Sequence, residues 1–215
     1  MSNTDSFIDE VNEEVRRDQL YTYLRKYGWI AAVAVVVLVG GAAYNEYSKA
    51  SAQSAAQGLG DATMAALSIE DRADQRAALG EIGAEGPSAE IITLLQGAAA
   101  ANNDKPAAIA SLTAIIDNAD AEEIYKDLAR LKLVMLQGAD APAADRIDML
   151  DALAVPGKAF RLIALEQKAV VLVETGDVEG AHVILQELLS EQSLTTDLRQ
   201  RVTQLIVALG AEPKA

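Results

Sequence analysis

The feature that most constrains this chain is an uncharged run close to its start, "YGWIAAVAVVVLVGGAAYN". From Tyr27 to Asn45 no side chain is charged, a stretch of 19 residues. As a helix it extends ~28 Å at ~1.5 Å per residue, close to the ~30 Å hydrocarbon core of a bilayer. Its centre, "IAAVAVVVLV", shows no polar face. A helix that is apolar all round sits either in a deep core or in lipid. Val-rich runs can also be buried strands, but those are usually about 4–8 residues long. The flanks carry aromatics: Tyr21, Tyr23, Tyr27 and Trp29 on one side, Tyr44 and Tyr47 on the other. Rings with a polar tip favour the headgroup level, so these read as two interfacial belts. The sequence therefore predicts a transmembrane helix over residues 27–47, anchored by Tyr27, Trp29, Val36, Gly40, Gly41, Tyr44 and Tyr47. Gly40 and Gly41 leave room for close approach by another helix, or form a small, merely permissive patch.

A cleaved signal is the competing reading. Ala50 and Ala52 stand in an A-x-A arrangement, and Arg25 and Lys26 precede the apolar run. Secretory signals, however, begin with a short basic segment. Here a longer segment with six acidic residues comes first. The candidate cleavage point also lies beyond Glu46 and Lys49. Orientation follows Lys and Arg: Arg16, Arg17, Arg25 and Lys26 lie before the span, and after it comes Lys49, then nothing basic until Arg72. The basic side stays in the cytoplasm. The expected placement is single-pass, with the N-terminus inside and residues 48–215 outside the cytoplasm, which in a bacterium is the periplasm.

The remainder is long enough for one ordinary domain with its own core. Residues 48–215 carry 14 Lys and Arg against 25 Asp and Glu, a net −11. Such a domain is a poor partner for nucleic acid or anionic lipid. The chain has no Cys, so disulfides are excluded. Beyond the span only Tyr125 and Phe160 are aromatic, while Ala, Leu, Glu, Gln and Arg are plentiful. These are strong helix formers, and Val and Ile recur at helical spacing. The fold class expected is all-α.

Residues 1–26 read as a short cytoplasmic helix. Ser6 with Asp9 resembles a capping box, and Ile8, Val11 and Val15 make a narrow apolar face. It is either a tail leading into the span or a docking helix for a partner. Residues 48–70, Ala- and Gln-rich, extend the helix outward as a stalk, with a bend expected at Gly58 and Gly60. Residues 71–210 form repeated helical units. "NDKPAAIASLTAII" aligns with "GDVEGAHVILQELL": Asp104 with Asp177, Ala108 with Ala181, Leu112 with Leu185, Ile115 with Leu188. A small residue followed by large apolar ones lets the second helix of a pair approach the first, then fills the groove between them. Ala108 and Ala181 are 73 residues apart, about two repeats of the ~34-residue class, so a degraded middle unit is expected near Ala144. Gly86-Pro87, Lys105-Pro106, Gly138, Pro142, Pro156-Gly157 and Gly176-Asp177 mark helix ends. A last helix carries Leu198, Val202, Leu205 and Leu209 as a cap, and residues 211–215 are expected to be a disordered tail.

Gly176-Asp177, Ala181, Leu185 and Leu188, with Leu165, Ala169 and Leu172 before them, resemble the tetratricopeptide repeat pattern. The full Trp-Leu-Gly-Tyr signature is missing. A charged N-terminal helix, "LRKYGW", one apolar span, "YNEY", an Ala/Gln-rich stalk and divergent repeats together resemble the bacterial ancillary Sec-translocon subunit family. Trp29 departs from it, because such proteins often carry Lys after the Gly. The resemblance implies an all-α, tetratricopeptide-like helical-hairpin solenoid on a single transmembrane helix. It also implies an adaptor beside the Sec translocon that works with periplasmic chaperones and has no catalytic residues.

Chemistry has little to work with. His182 is the single His, and a zinc site beside it would need carboxylates alone. Nucleophiles need an adjacent base, and none is in sight for the scattered Ser. Glu122 and Glu123 fit a helix start, where acids favour the dipole. Glu10, Glu13 and Glu14 read as a solvated face. No enzyme, cofactor or metal is expected. Two functions stand. One is an anchored protein-binding scaffold that uses a helical groove. The other is an assembly or stabilising subunit of another inner-membrane complex, binding through its span and N-terminal helix.

Overall fold

A computed structural model describes residues 3–212, with the side chains of 3–16, 18–20, 22–24 and 31 outside the description. The Ser6–Asp9 box, the Ile8, Val11, Val15 face and the acidic face of Glu10, Glu13 and Glu14 fall among those side chains. The regular structure of the described residues is all helical, with no strand among them. The chain divides into two compact units, Met1–Gly58 and Leu59–Ala215.

The first unit is carried by α1 (Asn3–Leu67). Its apolar stretch is bare. Val36 is 69% exposed and Leu38 73%, and no part of the most apolar window is buried within the fold. Arg25–Leu67 is thus one helix long and apolar enough to cross a membrane, by length and composition. The helical backbone is continuous through Gly58 and Gly60 to Leu67. Each Gly costs about 1 kcal/mol of helix stability relative to Ala. The surrounding Ala, Gln, Leu and Met residues, all good helix formers, offset that cost.

The second unit is a run of helices: α2 (Arg72–Gly80), α3 (Pro87–Ala100), α4 (Lys105–Asp117), α5 (Glu123–Gln137), a 3-10 turn (Gly138–Asp140), α6 (Ala143–Leu153), α7 (Arg161–Glu174), α8 (Val178–Ser190) and α9 (Thr196–Ala208). Each packs on the next, and α3 also touches α5. Short connections between helices make neighbours antiparallel. The core is accordingly a series of local clusters. Ala66, Leu79 and Ile92 form one; Leu112, Ile115, Ala129 and Leu133 another. Leu150 and Leu153 pack with Ala164 and Val171. Leu185, Leu188, Val202 and Ile206 close the far end. Such a stack gains stability neighbour by neighbour. Ala66 lies in the last turn of α1, so those turns are part of this unit, and the stalk expected over 48–70 ends inside it.

Helix starts follow local chemistry. Asp104 caps α4 by accepting from the Ala107 N–H, and Asp177 caps α8 by accepting from the Gly180 N–H. Gly176, at φ +85°, turns the chain between α7 and α8, a left-handed conformation that side chains resist. Residues 211–212 are tied down: Ala211 N–H donates to the Ile206 carbonyl, and the Gln186 amide donates to the Glu212 carbonyl at 3.0 Å. Residues 213–215, the rest of the expected tail, lie outside the described residues.

Candidate functional site: an apolar groove in a helical stack

The repeat register is visible in burial. Ala108, Leu112 and Ile115 are 0%, 4% and 3% exposed, and Ala181, Leu185 and Leu188 are 0%, 1% and 0%. In the middle unit the same +4 and +7 steps are taken by Arg146, Leu150 and Leu153, all buried. The buried step thus begins two residues past Ala144, near which the middle unit is expected, and Ala144 itself is exposed. The unit looked degraded because an arginine occupies the small-residue position. The Arg146 guanidinium reaches Glu174 on α7 at 2.6 Å, and its Nε has no partner.

A second periodic feature escaped sequence reading. The first helix of each pair buries one acid: Glu90 on α3, Asp127 on α5, Glu166 on α7. Each is met from further along the chain. The Asn118 amide donates to Glu90 at 3.2 Å, leaving the other carboxylate oxygen unpaired. Lys158 donates to Asp127 at 2.8 Å, and Arg130 adds a second bond at 3.0 Å. Arg201 on α9 grips Glu166 with two bonds, 2.7 and 2.8 Å. The acids are 37 and 39 residues apart, too irregular to register as a motif. Asp127 and then Glu123 hold the Lys158 ammonium above its usual pKa through hydrogen bonds. Lys158 and then Arg130 hold Glu123 below its own. Arg201 ties α9 to α7, while Asn118 and Lys158 reach back from the connections that follow α4 and α6.

Between α3 and α5 the stack leaves an apolar groove of about 340 Å³. From α3 come Leu94, Gly97 and Ala98, with Ala101 just beyond its end. Leu112 of α4 forms the floor, and Lys132, Met135 and Leu136 of α5 form the other wall. Gly97 lets α3 sit close to α4: a Cβ there would meet the Ser111 Cβ at 3.4 Å. Of the packing residues expected from sequence, only Leu112 lines this groove.

The expected anchor residues are all on the surface of α1. Tyr27, Trp29, Tyr44 and Tyr47 are 48%, 65%, 75% and 76% exposed. Nothing lies within 4 Å of where a Cβ would sit on Gly40 or Gly41. The Lys26 ammonium stands 5.6 Å from the Tyr27 ring centre, a cation–π geometry. His182 is half-buried beside Ala181. Among the described residues no three His, Asp or Glu side chains gather where a metal could bind.

Stacked helical hairpins of this kind define a protein-interaction scaffold. The chain belongs to the tetratricopeptide repeat-like domain family, whose model matches residues 21–209, the apolar segment included. No curated protein and no solved structure matches the chain.

Proposed function

We propose that this chain is a membrane-anchored scaffold, an accessory subunit of the Sec translocon that links it to periplasmic chaperones. In this reading residues 27–47 cross the bacterial inner membrane, 1–26 stay in the cytoplasm, and the repeats project into the periplasm. The observation that carries it is the pairing, in one chain, of a bare apolar helix with a repeat domain that presents a groove. A helix with valines exposed all round gains most by entering lipid. The basic residues before the span favour the cytoplasmic side for the N-terminus. The net −11 of residues 48–215 suits protein rather than nucleic-acid partners.

The test is in-cell crosslinking, gentle detergent extraction and mass spectrometry of the associated proteins. The expected result is the intact chain with translocon components or periplasmic chaperones. Recovery with a different membrane complex overturns the translocon assignment. A soluble product beginning near Gln53 overturns the anchor as well.

A further inference from the structure

The cations of the repeat unit are almost all engaged. Arg76 pairs with Asp104, Lys105 with Asp140, and Arg130 and Lys158 with Asp127 and Glu123. Arg146, Arg161, Lys168 and Arg201 pair with Glu174, Glu191, Asp151 and Glu166. Arg72 reaches the Gln75 side chain, while Lys126 and Arg199 reach backbone carbonyls. Among the described residues of Leu59–Ala215, Lys132 alone of the Lys and Arg makes neither an ion pair nor a hydrogen bond. Scarcity of acids is not the reason, because residues 48–215 hold 25 Asp and Glu against 14 basic residues. This one unengaged cation stands on the wall of the apolar groove.

We infer that the groove between α3 and α5 binds a short segment of a partner protein in which one large apolar side chain stands next to an acidic residue. The inference rests on the scaffold reading above and names what the scaffold takes. A volume of about 340 Å³ is at the small end of binding sites, which run roughly 300–1,000 Å³. It admits one or two side chains rather than a folded surface. Leu94, Leu112 and Leu136 offer an apolar interior, and Met135, 57% exposed at the rim, can reshape itself around a guest. An acidic residue beside the anchor meets the Lys132 ammonium. The negative domain as a whole repels such a ligand, but salt screens that field beyond ~8 Å. At contact range Lys132 decides.

The test uses the full-length protein in detergent micelles and fluorescein-labelled decapeptides with a Gly-Ser background. Four central pairs are compared by fluorescence anisotropy: Phe-Asp, Phe-Asn, Phe-Lys and Ala-Asp. Phe-Asp binds best, and Phe-Asn binds about two- to five-fold more weakly, the size of an exposed ion pair. Phe-Lys is weaker again, and Ala-Asp does not bind. Lys132→Gln equalises Phe-Asp and Phe-Asn; Lys132→Glu reverses the preference toward Phe-Lys. Ala98→Leu, at an exposed lining position, fills the groove and abolishes binding while helical signal and thermal midpoint stay unchanged. Ala98→Gln serves the same purpose should Leu disturb the fold. Equal affinity for Phe-Asp and Phe-Asn in the parent protein overturns the inference, as does binding that survives the filled groove. If no peptide binds while in-cell crosslinks from other faces recover partners, the groove assignment fails alone. If no face crosslinks to any protein, the scaffold reading fails with it.

Discussion

Arg146 is where the repeat pattern and the physical chemistry of burial conflict most openly. The other two hairpins place alanine here; this one places a cation whose side chain is 5% exposed, paired with a Glu174 side chain that is 39% exposed. Removing one partner of a fully buried ion pair costs about 3–5 kcal/mol, because the other charge is stranded. Glu174 is open to water, so the pair is worth less than that, and Glu174→Ala is expected to cost ~1.5–3 kcal/mol. A repeat unit of this size loses ~2–4 °C of thermal midpoint per kcal/mol, so the midpoint falls by ~3–12 °C. Arg146→Met behaves differently. It removes the charge and the unpaired Nε together while keeping a long, flexible side chain in the space. Glu174, 39% exposed, is left to water rather than stranded in the core, so a change within ~1 kcal/mol of zero is expected. In the Arg146→Met background, Glu174→Ala then costs less than ~0.5 kcal/mol, as at an ordinary surface site. The assay is a double-mutant cycle by urea unfolding of the full chain in micelles, followed by circular dichroism. Equal costs for Glu174→Ala in both backgrounds would refute the reasoning. So would a loss above ~2 kcal/mol for Arg146→Met alone, which would mean the guanidinium is an integral strut.

The buried acids should divide by their partners. Glu90→Met, which removes a half-satisfied carboxylate, raises the thermal midpoint by a few degrees, worth ~1 kcal/mol. Asp127→Leu, which leaves Arg130 and Lys158 only Glu123 as an acidic partner, lowers stability by ~1–2 kcal/mol; the same urea series reads both, and a loss at Glu90 contradicts the first. Asp177→Ala removes the cap on α8 and costs ~1 kcal/mol, whereas Asp177→Asn costs little. Equal losses from the two would show that the cap bond to Gly180 contributes nothing. For pH, Glu123 has its folded pKa lowered from 4.5 by Lys158 and Arg130. Its stabilising contribution is therefore present above 4.5 and is lost as pH falls through the folded value. Acid unfolding followed from neutral pH downward should begin below ~pH 4.5 and become shallower in Glu123→Gln. An unchanged acid limb would remove Glu123 from the account.

Much of the fold was legible because it is local. Asp104 and Asp177 sit at helix starts as their capping chemistry requires, and the small-to-large pattern from Ala108 and Ala181 marks second helices. The middle register was not legible, because Arg146 looks like a surface residue in sequence and is buried only through Glu174, 28 residues away. Helix formers on both sides keep the backbone helical through Gly58 and Gly60. Glu90, Asp127 and Glu166 look like solvated charges, since nothing in one dimension announces a partner such as Arg201, 35 residues beyond Glu166.

The sequence by itself determined the elements. An uncharged run of bilayer length, helix-forming composition, Asp caps and Gly and Pro at the ends leave an all-α chain with one lipid-compatible helix, because those preferences act within a few residues. Tertiary structure alone decided the groove. α3 and α5 are separated in sequence by α4, and only their packing on one stack sets Leu94 and Ala98 opposite Lys132 and Met135. It also decided which charges are spent on one another, because an ion pair forms where the fold brings side chains together. Lys132 is left over only once the other cations have found their partners.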